Sequence, residues 1–216
     1  MSIHNLRNAA NKQSAADREA LIRIYRRDSE TQRVALASTE ANSSIQTRTE
    51  DIIRLAEAMG VKKLGIATCV GLLGESRTLT KILRKRGFDV FGVCCKVAGT
   101  KKSCVGITDE QLINFKTGSI MCNPIMQAKL LNRENTELNI VMGLCVGHDS
   151  LFLKYAEAPC VSLVIKDRVL GNNPVAALYT TSSFYSKLLE PQTTPSAIEF
   201  MKRRTEEKEV LKNGLQ

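Results

Sequence analysis

LNIVMGLCVGHDSLFLKY, residues 138–155, passes from an apolar, β-branched run through Cys145-Val146-Gly147 into a helical pattern. The same hand-over occurs in LGIATCVG, residues 64–71, which closes on Cys69-Val70-Gly71. Each cysteine therefore stands where a strand gives way to a helix. In a parallel α/β sheet that edge is where ligands bind, so two thiols placed alike point to one shared site.

Outward from these two turns, strands and helices alternate from Lys62 onward. KKLGIAT reads as a strand, GESRTLTKILRKRG as a helix ending in Gly87, and FDVFGVCCKV as a second strand. A short helix at DEQLINF precedes Asn123-Pro124, which opens a helix over PIMQAKLLNREN with Asn as N-cap and Pro at the first position. LNIVMGL is the third strand, HDSLFLKYAEA a helix and PCVSLVIKD the fourth strand, and Asn173-Pro174 opens a helix through about Leu189. Short connections between alternating elements imply parallel strands and right-handed crossovers. The expected fold is a doubly wound, mainly parallel, Rossmann-like sheet of four strands or slightly more.

Upstream, residues 16–40 carry apolar positions at 21, 22, 24, 25, 34 and 36, which fits one helix, and RTEDIIRLAEAMG gives a second with Gly60 as its cap. The expected organisation is a disordered 1–15, a helical extension over 16–60, an α/β core over 61–190, and a polar helix or tail over 191–216 after the break EPQTTP.

At 216 residues, with 43% apolar and 25% charged residues, the composition is that of one generous globular domain. There is no signal-type apolar segment at the start and no run near the roughly 18 apolar residues of a membrane span, so a soluble, cytoplasmic protein is expected. The net charge of +9 is scattered over KILRKR, Lys101-Lys102 and the tail, and with 5% aromatics and no Trp the stacking residues of a single-strand nucleic-acid binder are sparse. Seven cysteines, an odd number, suit metal or thiol chemistry better than a disulfide framework.

If the strands lie in the order 2-1-3-4, the winding reverses between strands 1 and 3, and Cys69 and Cys145 end neighbouring strands about 4.7–4.9 Å apart. Cys95 ends strand 2, and Cys94 faces the other side unless the strand has already stopped. Cys122 precedes the Asn123-Pro124 cap. Cys69, Cys95, Cys122 and Cys145 thus fall at successive loops on one edge, where helix starts favour the thiolate. Four thiolates suit tetrahedral zinc or an iron–sulfur cluster, with His148, three residues after Cys145, as a further ligand or a neighbour. Cys104 and Cys160 read as bystanders.

Cys145, His148 and Asp149 are the candidates for catalysis, with Cys145 as nucleophile and His148 as base. Lys166, Arg168 and Asn173, in KDRVLGNNP after strand 4, are candidate contacts for a small anionic ligand. No GxGxxG or GxxxxGK[ST] is present, which argues against a dinucleotide or P-loop site. A homo-oligomer is compatible with the sequence.

Together IATCVGLL, Cys95-Lys96, MCNPIMQAKLLN, LNIVMGLCVGHDSLFLKY and KDRVLGNNPVAALY resemble the domain-of-unknown-function family 1847, prokaryotic proteins often labelled metal-binding. The likeness runs over about residues 20–190. It implies roles for Cys69, Cys95, Cys122, Cys145, His148 and Asp149, none for Cys94, Cys104 or Cys160, and no established reaction. The chain departs from the family pattern in lacking N-terminal cysteines, so a second metal site there is not expected, and in carrying Asn172 where a His is usual. Three readings follow: a metal- or cluster-binding protein, a thiol-dependent enzyme acting on a small anion, or an interaction protein with structural cysteines.

Overall fold

The computed structural model describes residues 14–107 and 119–190. The expected helix at DEQLINF, the expected C-terminal helix and residues 1–13 of the expected disordered 1–15 lie outside them, whereas Ser14 caps a helix that begins at Ala15 by a capping box with Asp17. The chain divides into two compact units between Lys62 and Lys63.

The first unit is helical. Helix α1 spans Ala15–Arg27, α2 Ser29–Ala41 and α3 Arg48–Ala58. Where the apolar spacing suggests one helix over 16–40, the structure has two, because Asp28 is extended and its carboxylate accepts the Glu30 N–H at 3.0 Å, capping α2. Thr47 and Glu50 form a capping box that starts α3. Helices α2 and α3 pack on each other, and Ala37, Ala41, Ile52, Ile53, Leu55 and Ala56 are buried.

The second unit is a four-stranded, all-parallel sheet flanked by helices. Its elements run β1 Lys63–Thr68, α4 Leu73–Lys85, β2 Asp89–Cys94, α5 Pro124–Arg133, β3 Leu138–Met142, α6 His148–Tyr155, β4 Cys160–Val164 and α7 Val175–Tyr179. The strand order is β2-β1-β3-β4, the reversing order that places the ends of β1 and β3 side by side. Burial explains the composition: β3 is buried at every position, and Leu64, Ile66, Leu131, Leu138, Ile140 and Phe152 are fully enclosed. Short turns of 3-10 helix follow β1 at Val70–Leu72 and β2 at Val97–Gly99.

Two features aim the strand ends. The pairing of β3 with β4 slips between Val141 and Met142, so that Met142 meets Val164; such a bulge re-aims the residues beyond it. Gly143, at φ +62°, follows immediately, and a Cβ there would lie 2.3 Å from Leu72 Cδ1. Only glycine allows the end of β3 to turn past Leu72 in that conformation.

The expected helix from Pro174 to Leu189 is cut to Val175–Tyr179. Its continuation, Thr180-Thr181-Ser182-Ser183, offers hydroxyls that satisfy local carbonyls instead: Thr180 donates to Ala176 O at 2.8 Å and Thr181 to Leu178 O at 3.1 Å. None of the helix residues is buried, so no packing offsets that competition.

Candidate functional site

The site grows from the ladder between β1 and β2. Thr68 lies opposite Cys94, and the Cys95 N–H donates to Thr68 O at 2.9 Å, which brings Cys95 alongside Cys69 one rung further on. Strand β2 ends at Cys94, so Cys95 is free of strict alternation and turns toward Cys69. The two thiols interact, and Cys95 interacts with the thiol of Cys122 as well. The Val70 N–H donates to Cys95 Sγ at 3.3 Å.

Gln127, fully buried on α5, secures this arrangement from beneath. Its amide donates to Thr68 O at 3.1 Å and to Val93 O at 2.8 Å, the carbonyls that precede Cys69 and Cys94. Cys122 is held by its neighbour: the Asn123 N–H donates to Cys95 O at 2.7 Å, while Asn123 Oδ1 accepts from Met126 N at 3.0 Å and caps α5.

The fourth cysteine and both cations come from the β3 and β4 side. Cys145 O accepts the N–H groups of His148 and Asp149 at 2.8 and 3.2 Å, turning the chain into α6. Beyond β4, Asp167 Oδ1 accepts from Val169 N and Leu170 N at 2.8 Å each, and the Asn172 N–H donates to Asp167 O at 2.8 Å. Asn172 stands at φ +66°, a left-handed turn that Asn tolerates. The loop so fixed sends Lys166 Nζ to Cys69 Sγ at 2.8 Å and Arg168 Nη2 to Cys145 Sγ at 3.1 Å.

These contacts polarise the thiols unequally. The hydrogen bond from Cys95, followed by the Lys166 ammonium, holds Cys69 down to about 4 in spite of burial, whereas Cys95, donating to Cys69 and buried, lies well above the usual thiol range. The pair thus takes its first negative charge more readily than an ordinary thiol and its second less readily. Cys145 raises the pKa of Arg168, chiefly by their hydrogen bond, and Cys69 and Cys122 act on the guanidinium in the same direction. Burial lowers the pKa of His148, against Asp149 and with Lys96, and its buried Nδ1 has no hydrogen-bond partner among the described residues.

The sequence therefore places Cys69, Cys95, Cys122, Cys145, Lys166 and Arg168 on the edge where the structure has them, but the cap expected at Asn173 changes. The thiolate of Cys69 is favoured chiefly by Cys95 and Lys166, and also by the Gly71 N–H of the helical turn that it opens. Asn173 caps no helix: Pro174 occupies the N-cap of α7, no side chain bonds to its first turn, and Asn173 is exposed. Cys145 Sγ receives the Arg168 guanidinium, and the charged groups that act on His148 are Asp149, Lys96, Cys69 and Arg168. Asp149 accepts the Ser150 N–H at 2.8 Å in the first turn of α6.

Among the described residues, no three His, Cys, Asp or Glu side chains stand in a metal-binding arrangement. Cys94 is half-buried at the end of β2, Cys104 is exposed, and Cys160, which begins β4, donates to Ala158 O at 3.3 Å and is pushed up to about 11 by burial. Sequence reasoning missed Gln127 and Lys96. Gln127 left a signal, because it stands with Pro124, Ala128 and Leu131 on the buried stripe of α5, where a polar residue needs internal partners. Lys96, whose Nζ donates to Ile120 O at 2.6 Å, left only its place beside Cys95 in the family likeness.

Fold and site together define a parallel α/β protein with a cluster of cysteines and cations at the C-terminal edge of its sheet. Its sequence matches the family described as protein of unknown function (DUF1847) over residues 9–163, and the chain belongs to that family. It is also 48% identical, over 145 residues, to an uncharacterized protein of Methanocaldococcus jannaschii, covering 67% of this chain and 72% of the relative.

Proposed function

We propose that the cluster binds a soft metal ion or an iron–sulfur cluster through Cys69, Cys95, Cys122 and Cys145, with His148 beside it. One observation carries this reading: thiols from three connections stand at one sheet edge, Cys69 after β1, Cys95 and Cys122 between β2 and α5, and Cys145 after β3, with Lys166 on Cys69 and Arg168 on Cys145. The donor set fits the group. Four thiolates around a divalent ion leave a net negative charge, and Lys166, Arg168 and the Val70 N–H already lie on these sulfurs to offset it. Loading requires the thiols to lose their protons and turn toward one point, with Arg168 moving from direct contact into the surrounding shell. A bound cluster supplies electron transfer and bound zinc a structural or Lewis-acid role. Among the described residues, no helix is long and apolar enough to cross a membrane.

Elemental analysis and an absorption spectrum of the full chain, purified without oxygen, test the proposal. The expected result is stoichiometric metal that is lost in Cys145→Ser. Metal-free protein of undiminished stability overturns it.

The second reading is a thiol-dependent reaction on a small anionic substrate, with Cys69 as nucleophile and Lys166 and Arg168 as anion contacts. The Lys166 contact favours it, because an ammonium beside a thiolate both activates the sulfur and marks where a negative group would sit. Its sign is one cysteine that alkylates far faster than the rest near neutral pH.

A further inference from the structure

We propose that Cys69 and Cys95 are a redox couple that a small hydroperoxide oxidises to a disulfide bridging the ends of β1 and β2. This activity belongs to the metal-free chain and does not rest on the metal reading.

Geometry singles out this pair. The two residues continue the register that sets Thr68 opposite Cys94, and the bond from Cys95 N to Thr68 O carries the ladder to their rung. Neighbouring strands lie about 4.7–4.9 Å apart, inside the roughly 4.4–6.8 Å that a disulfide spans between Cα atoms. The Val70 N–H, next in the chain to Cys69, donates to Cys95 Sγ at 3.3 Å, so the Cys95 sulfur already lies at the Cys69 turn. Gln127 fixes both strand ends through Thr68 O and Val93 O, which keeps the partners aligned. Cys122 also reaches Cys95, but it comes from the segment before α5 and not from the paired strands.

Burial selects the oxidant. Cys69 is 5% and Cys95 3% exposed, an opening that suits a molecule as small as hydrogen peroxide and not a bulky disulfide. In the first step the Cys69 sulfur gives its proton to solvent and attacks one peroxide oxygen; the S–O bond forms and the O–O bond breaks. The leaving oxygen takes a proton from Lys166, whose Nζ lies 2.8 Å from that sulfur, and Lys166 regains it from solvent. In the second step the Cys95 sulfur attacks Cys69 Sγ, forming the S–S bond, and hydroxide departs with the Cys95 proton as water. The thiol pair gives up two electrons, and the hydroperoxide becomes water and an alcohol, or two waters from hydrogen peroxide.

The test uses the full chain, stripped with a chelator and with its metal content measured before and after. One equivalent of hydrogen peroxide should remove two of the seven titratable thiols, restored by dithiothreitol, with a peptide map joining Cys69 to Cys95. Cys95→Ser should stop at a Cys69 sulfenic acid that dimedone captures. Oxidised glutathione at equal concentration should react at least about tenfold more slowly, because it must reach an enclosed sulfur. A wild-type map dominated by Cys95–Cys122, unchanged thiols, or equal rates with glutathione disulfide would each overturn the proposal. The metal content of the starting protein judges the metal reading separately, so either can fail alone.

Discussion

The two Cys-Val-Gly turns are identical in sequence and differ in what surrounds them. At the first, Cys69 is buried, its sulfur bonded to Cys95 on one side and Lys166 on the other, and the chain tightens at once into the Val70–Leu72 turn. At the second, Cys145 is half-buried, Val146 is 90% exposed, and the sulfur receives the Arg168 guanidinium. The strand next door accounts for the difference. β1 is flanked by β2, which delivers a second thiol in register, whereas β3 is flanked by β4, which delivers a bulge and a cationic loop. A short motif fixes the position of a thiol; its neighbours fix its chemistry.

The strongest way to break this contrast is Cys95→Ala. Removing the donor that does most to stabilise the Cys69 thiolate should raise the Cys69 pKa. Its reaction with iodoacetamide at pH 6 should then slow, by roughly tenfold for every pH unit that the pKa climbs beyond 6. Cys145 should change by less than about twofold, because its partner is Arg168. Equal slowing at both cysteines, read by mass spectrometry of the labelled peptides, would show that the turns are one unit.

A pH series sharpens the same point through stability. Folded Cys69 ionises near 4 against 9.0 for an ordinary thiol, so across that window the unfolded chain holds a proton that the folded chain has lost. Stability from this group is therefore full above about pH 9 and is lost as pH falls through 4, while Cys95, raised above the usual thiol value, acts in the opposite direction above pH 9. Urea unfolding of the reduced, metal-free chain at pH 5, 7 and 9 should show this rise, and Cys69→Ala should flatten it.

The glycines grade the turns themselves. Gly143→Ala combines positive φ with a Cβ 2.3 Å from Leu72 and should cost about 2–3 kcal/mol. Gly147→Ala, at φ +83° with open space around it, should cost about 1 kcal/mol from the backbone alone. Gly71→Ala, at the matching place in the first turn, meets only Lys166 Nζ at 3.7 Å and has no positive φ, so its cost should stay within about 0.5 kcal/mol. Denaturation midpoints that rank Gly71 above Gly147 in cost would refute the view that the second turn alone depends on a left-handed residue.

Strand and helix identity, parallel pairing and the gathering of four cysteines on one edge were legible in the sequence, because each rests on local periodicity and on the handedness of crossovers. The break at Asp28 and the truncation after Tyr179 escaped that reading, since both are local capping and hydroxyl bonds competing with a helix pattern. Only the tertiary structure decided that Cys95 turns toward Cys69, that Gln127 pins both strand ends and that Lys166 and Arg168 choose different sulfurs. The physical reason is range. Periodicity is set by neighbours a few residues away, whereas the charge on a thiol is set by whichever donors and cations the fold brings within a few ångströms, here from residues 26 and 97 positions along the chain from Cys69.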